Sequence, residues 1–321
     1  MEGILVQNRA STVDLTTTAA RSAGEVIQLA DGRAAIQHAA VDAGGLATPR
    51  VAGQFRVTKT ASIVIIKGAP LWWDHSANSA TCIPPMGAAS GDKDFYLGVA
   101  LEDAASAATT VLCDLNVKPK YIIDLHESGG DTAVVLTAGT PYITSRGGTL
   151  EAGFSATAEA QKLDWLSKRS WAVSAPFVLE AVVEVVTNAD ADVGDLSIGA
   201  ANATHASDAD SITESAFFHF DLGADLNIDT ESDDGTTEVA ADDSGVDFAV
   251  GTPVHLVIDG RDNTSIKFYI NGVRVNSDAT FKLDAATGPL KGLFHLEKSS
   301  NDSPGVVQLD HFAVRIMEQA A

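Results

Sequence analysis

Between Val51 and Asn116 the sequence offers only short apolar runs, cut by Gly, Pro, Asn and Ser, and none of them carries a helical period. Such a segment can bury its apolar side chains only as short strands. Gln54-Phe-Arg-Val alternates polar and apolar residues, as a half-buried strand does. Ala61–Ile66 and Thr109–Leu115 read as further strands, and Ala104–Ala108 as a small-residue turn or short helix. Upstream, Gly24–Leu29 and Ala34–His38 read as strands around an Asp31-Gly32 turn. The segment predicts a small β-barrel with an Ala- and Thr-rich surface and no obvious catalytic side chain.

The second part of the chain also reads as β. Strands are predicted at Tyr121–Leu125, Ala133–Leu136, Phe177–Val186, Leu196–Ile198, Phe217–Leu222, Leu226–Asp229, Val254–Ile258, Ile266–Ile270, Val273–Val275, Leu293–Leu296 and Val306–Ile316. Asn271-Gly272, between KFYI and VRV, is the sharpest local signal, because a two-residue type I′ turn needs positive φ at both central positions. Ala158–Leu166 reads as the one short helix. The acidic, Ser/Thr/Gly-rich stretches Asp208–Asp210 and Asp225–Asp247 read as surface loops. The fold class is therefore all-β: a small N-terminal β-barrel followed by a two-sheet jelly-roll sandwich. Residues 1–23 form an arm, 24–116 the barrel, 117–120 a linker around Pro119, and 121–317 the sandwich.

Charge supports that division. Residues 1–120 carry 11 acids and 10 bases, the remainder 32 acids and 11 bases, and the whole chain has a net charge of −22. From Arg169 to Arg261 no Lys or Arg intervenes. Nucleic-acid binding needs a cationic surface, so nucleic acid is excluded as a partner, and anionic membrane surfaces are disfavoured for the same reason. The acidic surface reads either as self-repelling and solvated or as a binder of divalent cations. No apolar run reaches the roughly 18 residues of a membrane span. The N-terminus lacks a basic region, and Ile4–Val6 is too short for a secretory signal. Cys82 and Cys113 read as small buried residues, with one bridge between them open.

Several groups are candidates for chemistry. Asp225, Asn227 and Asp229 alternate, so a strand would set them on one face, where they could ligate calcium. They do not open an EF-hand, because Thr230 replaces its glycine and Thr236 its bidentate glutamate. Glu180 and Glu184 share a strand face, as the acid and nucleophile of sandwich glycosidases do, but the tighter Glu-x-Asp-x-(x)-Glu spacing of those enzymes is missing from this segment. His219, His255, His295 and His311 sit in strands among apolar residues without zinc-motif spacing. No nucleophile elbow, phosphate loop or dinucleotide fingerprint is present. Trp72 and Trp73 point to opposite faces of a strand, so one belongs to the core and the other can meet a partner.

The order of Gly24-Glu-Val-Ile, Gly53-Gln-Phe-Arg-Val-Thr-Lys, Gly68-Ala-Pro-Leu-Trp-Trp-Asp, Leu97-Gly-Val-Ala-Leu-Glu and Thr110-Val-Leu-Cys-Asp-Leu-Asn resembles the tailed-phage head decoration (cement) proteins over roughly Gly24 to Asn116. That resemblance implies a non-enzymatic virion protein on the outer surface of the capsid. It would bind the major capsid protein as a homotrimer, with the arm residues Met1, Gly3, Leu5 and Val13 and the pair Trp72 and Trp73 as capsid-facing candidates. Pro253-Val-His-Leu-Val-Ile-Asp-Gly, followed by Ile266-Lys-Phe-Tyr-Ile-Asn-Gly-Val-Arg-Val, is similar to the concanavalin-like sandwiches of lectins, glucanases and laminin-G domains. That second resemblance implies host glycans as an alternative partner, with glycoside hydrolysis a more distant reading.

Overall fold

The computed structural model describes residues 3–7, 11–86, 93–124, 132–138, 141–146, 149–155, 158–187, 194–205, 208–222, 226–299 and 305–317. The chain divides into two compact units, Met1–Lys120 and Tyr121–Ala321.

Unit 1 contains β1 (Gly3–Gln7), β2 (Leu15–Thr16), β3 (Val26–Gln28), β4 (Ala34–Ile36), β5 (Leu46–Ala47), β6 (Gln54–Thr58), β7 (Pro70–Asp74), β8 (Ser79–Thr81), β9 (Phe95–Ala100) and β10 (Thr110–Leu115). Its main sheet runs β1-β6-β10-β9-β7-β8, and two ribbons, β2-β5 and β3-β4, accompany it. Alternation places the core: Phe55 and Val57 of β6, Leu71 and Trp73 of β7, and Val111, Cys113 and Leu115 of β10 all point inward. Among the described residues no full ladder closes this sheet into a barrel. A single parallel bridge, Lys59 to Ala80, joins the end of β6 to β8. Ala61–Ile66, expected as a strand, holds only an isolated bridge from Ile65 to Ala104. Its apolar residues Ile63 and Ile65 are core, but their backbone forms no strand ladder. The stretch 1–23, expected as an arm, contributes β1 to the sheet edge and β2 to a ribbon.

Unit 2 contains β11 (Ile123–Asp124), β12 (Thr132–Ala138), β13 (Tyr142–Arg146), β14 (Thr149–Gly153), β15 (Gln161–Ser167), β16 (Trp171–Ala172), β17 (Phe177–Thr187), β18 (Gly194–Ala201), β19 (Ser215–Asp221), β20 (Asn227–Asp233), β21 (Glu238–Asp247), β22 (Val254–Gly260), β23 (Lys267–Ile270), β24 (Val273–Val275), β25 (Pro289–Lys298) and β26 (Val306–Ile316). One sheet runs β13-β14-β26-β17-β22-β23-β24 with β11 on β26. The other runs β12-β15-β25-β18-β19-β20-β21 with β16 on β25. Their inner faces form one core: Leu179, Ala181 and Val183 from β17 and Phe312 and Val314 from β26 meet Leu196 and Ile198 from β18 and Phe218 and Phe220 from β19. Edge-to-face ring pairs cross it, Trp165–Phe312 at 5.1 Å and Phe218–Phe268 at 5.1 Å. The all-β sandwich expected from the sequence is thus the observed fold.

The Asn271-Gly272 turn forms as expected, with φ of 49° and 76°. Two expectations fail. The predicted helix at Ala158–Leu166 is strand β15, which buries Leu163 and Trp165 in the core while Lys162 and Asp164 face the other way. Ladders with β12 and β25 override the helical propensity of an Ala-, Glu-, Gln- and Lys-rich stretch. The acidic segment Asp225–Asp247, read as surface loop beyond the Leu226–Asp229 strand, contains β21, a largely exposed edge strand whose charges suit a sheet edge.

Candidate functional site

The residues singled out in the first unit do not share one environment. Met1 lies outside the described residues. Gly3 and Leu5 sit in β1, opposite Val57 and Phe55 of β6. Val13 is half-buried against the small cluster of Ile27, Ala35 and Val51. Trp73 is 0% exposed, so it is core and offers no surface. Trp72 is half-buried, with its ring edge-to-face with Tyr96 at 6.0 Å. Cys82 and Cys113 are free and buried, and burial drives the Cys113 thiol far above its ordinary range.

The densest polar chemistry lies on the face of the β15-β25-β18-β19-β20 sheet that turns away from the core. Asp164, His295, Ser197, His219 and Asp229 are successive cross-strand partners and form a polar row. His295 Nδ1 lies 2.6 Å from Asp164 Oδ1, and its Nε2 lies 3.4 Å from Glu297 Oε2. His219 Nε2 lies 3.4 Å from Asp195 Oδ1, and its Nδ1 lies 3.4 Å from Asp210 Oδ1. Asp210 comes from the β18–β19 connection, on the 3-10 turn Ala209–Ser211. Ala209 and Ile212 pack on Phe217 and Leu293 and fix that turn over the sheet. Behind it, Glu214 accepts hydrogen bonds from Thr287 N (2.9 Å), Gly288 N (2.8 Å) and Asn202 Nδ2 (2.9 Å).

Burial and charge set the protonation of this face. Burial pulls His219 down, but Asp210 and Asp195 outweigh it and raise the imidazole to about 10. Burial likewise works against His295, which Asp164 and Glu297 bring up to about 9. Burial lifts Asp195 to about 7 against the pull of His219, and lifts Glu231 to about 9 with help from the Asp210 charge. Asp210 stays below the usual carboxylate range, chiefly through the His219 imidazole beside it.

The opposite sheet holds a second buried group. The Glu180 carboxylate is 2.5 Å from Arg315 Nη1 and 4.0 Å from His311 Nε2, and Tyr121 Oη donates to it at 3.4 Å. Burial would raise this carboxyl, but Arg315, then His311 and His255, hold it below its ordinary value. Burial pushes His255 down to about 4 against the pull of Glu180. Glu184 is only half-buried and stands opposite Gln308 of β26. A carboxylate fixed in its charged form by Arg315 is poorly suited to serve as a general acid near neutral pH. Asn227 and Asp229 share a face of β20, while Asp225 lies outside the described residues.

Residues 6–115 match the phage cement protein family. That match supports a phage structural protein, and the cement-like region takes in the whole path from β2 to β10. A search of curated proteins finds no match. Among solved structures, the chain is similar to the carbohydrate recognition domain of Emp47p at 11% identity, covering 61% of this chain and 94% of that one with a TM-score of 0.43. It is similar to a Bacillus licheniformis β-glucanase at 11% identity, covering 61% and 98% with a TM-score of 0.46. These are concanavalin A-like sandwich domains, the class that the C-terminal motifs resemble. The cement-like region carries none of the His–carboxylate row. Sequence reading missed that row because its members come from five strands: Asp164 and His295 stand 131 residues apart. The one local signal was the alternation Asn227-x-Asp229-x-Glu231, of which only the first two residues were singled out.

Proposed function

We propose that the chain is a virion structural protein that decorates the outside of a phage head and cements it. The match of residues 6–115 to the phage cement proteins carries this reading. Its mechanism is linkage: a protein that binds only the assembled shell stabilises that shell by RT ln(1 + [L]/Kd), about 2.7 kcal/mol per site at a hundredfold excess over Kd. Presentation as a homotrimer multiplies weak contacts with the major capsid protein. A nearly neutral first unit suits a packed interface, and the acidic residues 121–321 suit a displayed, self-repelling part. The Arg315-bound state of Glu180 favours a non-enzymatic role.

The test is to compare purified heads with and without this protein. Heads carrying it should hold it in fixed ratio to the major capsid protein, show added density on the outer surface, and retain their genome to a higher temperature. Absence from purified heads, or density only inside the shell, would refute the reading. Light scattering of the free protein tests the trimer, and a monomer at all concentrations would remove that part.

A further inference from the structure

We infer that Asp210, His219 and Glu231 form a binding site for a divalent transition-metal ion, zinc by preference, on the polar face of the β18-β19-β20 sheet. One ligand atom from each of the three lies within 4.8 Å of the other two. A tetrahedral zinc with ligands at about 2.1 Å sets neighbouring donor atoms about 3.4 Å apart. His219 Nδ1 and Asp210 Oδ1 are 3.4 Å apart, the edge of such a tetrahedron and long for a charge-assisted hydrogen bond. The imidazole is oriented as metal-bound histidines are: its other nitrogen, Nε2, faces the Asp195 carboxylate at 3.4 Å.

Unpartnered groups point the same way. Ser197 is 0% exposed and its Oγ has no hydrogen-bond partner among the described residues. Its neighbours Leu196 and Ile198 face the core, so Ser197 faces the polar side, directly opposite His219 in the ladder. Glu231 is 6% exposed and its Oε1 is likewise unpartnered, as is His219 Nδ1. Buried polar atoms normally find a partner, and three on one patch mark the place of a missing one. Lys and Arg are missing from strands β18 to β21 as well, and none forms an ion pair with Asp195, Asp210 or Glu231 among the described residues.

Mixed nitrogen and oxygen donors select a borderline cation over calcium, which takes oxygen ligands in larger number. The group Asp195, Asp208 and Glu297 is all-oxygen and includes the carboxylate that faces His219 Nε2. With three protein ligands the ion keeps a position for water, and it ties the Asp210 turn to two strands of the sheet.

The experiment uses the full chain, stripped with a chelator and then dialysed separately against zinc, manganese and calcium salts, with bound metal measured after gel filtration. One zinc per chain is expected. Asp210→Asn, at a half-exposed position that leaves packing intact, should weaken zinc binding at least tenfold, and His219→Gln should abolish it. Circular dichroism confirms that each variant is folded. Cobalt substitution adds a second readout: tetrahedral nitrogen–oxygen ligation gives visible absorption bands, which should disappear in His219→Gln. Three results would each overturn the inference: folded wild-type protein that binds no stoichiometric zinc, zinc affinity unchanged in Asp210→Asn, or calcium bound where zinc is not.

Discussion

Asn116 closes the first unit with its side chain, and replacing it should loosen that unit measurably. Its backbone has φ of 61°, a left-handed conformation that Asn adopts more readily than other residues with a Cβ. The side-chain amide works as a strand partner. Oδ1 accepts from Ala34 N at 2.9 Å, and Nδ2 donates to Ala34 O and Val51 O, each at 2.8 Å. Ala34 is 0% exposed and Val51 6%, so the groups left behind by Asn116→Ala stay buried. Each buried unsatisfied group costs about 1–3 kcal/mol, and a left-handed alanine about 1–2 kcal/mol. Relaxation and water entry absorb part of this, which leaves a loss of about 3–4 kcal/mol. Asn116→Gly removes the same hydrogen bonds without the backbone strain, so it should be about 1 kcal/mol milder. Hydrogen exchange by mass spectrometry on peptides covering Ala34–Ile36 reads the effect locally. At 1.4 kcal/mol per tenfold, protection should fall by about two to three orders of magnitude in the alanine variant. If both variants keep protection within about twofold of wild type, the amide bridge carries nothing. If glycine is no milder than alanine, the backbone argument fails.

Glu180→Gln leaves the Arg315 guanidinium buried without its counter-charge, at an expected cost of about 3–5 kcal/mol to the sandwich in urea melts. The same pair sets a pH dependence. The folded state holds Glu180 below its ordinary value of 4.5, so its contribution is present above that value and lost as pH falls through the lower folded one. Wild-type stability should therefore fall below about pH 4.5 more steeply than that of Glu180→Gln, and parallel pH profiles would refute the assignment. Gly199→Ala tests a close strand approach. A Cβ there would meet Ala216 O at 2.2 Å and Phe217 Cα at 2.6 Å. Such overpacking against backbone should cost about 3 kcal/mol or more, and a melting temperature within a few degrees of wild type would refute it.

The parts of the fold legible in the sequence were those decided locally. The Asn271-Gly272 turn required only two residues that tolerate positive φ, and both adopt it. The alternation in Gln54–Thr58 required only one face in the core, and Phe55 and Val57 take it. Segments whose fate depends on neighbours were read less well. Gln161–Ser167 has good helix formers yet pairs on both sides, with β12 and β25, so ladder hydrogen bonds and the burial of Trp165 decide its state. Ala61–Ile66 has strand composition but no partner ladder beyond one bridge, and Ile63 and Ile65 reach the core from irregular backbone. Composition reports what a segment prefers, and partners decide which preference is used.

The polar row shows the same limit in its sharpest form. Period-two alternation predicts which side chains share a face of one strand, so Asp229 and Glu231 could be grouped from the sequence. It is silent on which strands are neighbours. In this sheet β18 lies between β25 and β19, so Ser197 is flanked by His295 from almost a hundred residues downstream and by His219 from the next strand. A histidine that looks isolated among apolar residues in the sequence, as His219 does between Phe218 and Phe220, has those phenylalanines in the core on one face and three carboxylates around it on the other. Apolar flanks are what a strand histidine shows whenever one face is core. They give no information about what the imidazole meets, and the lack of a zinc-like spacing within one segment does not argue against a metal site assembled across strands.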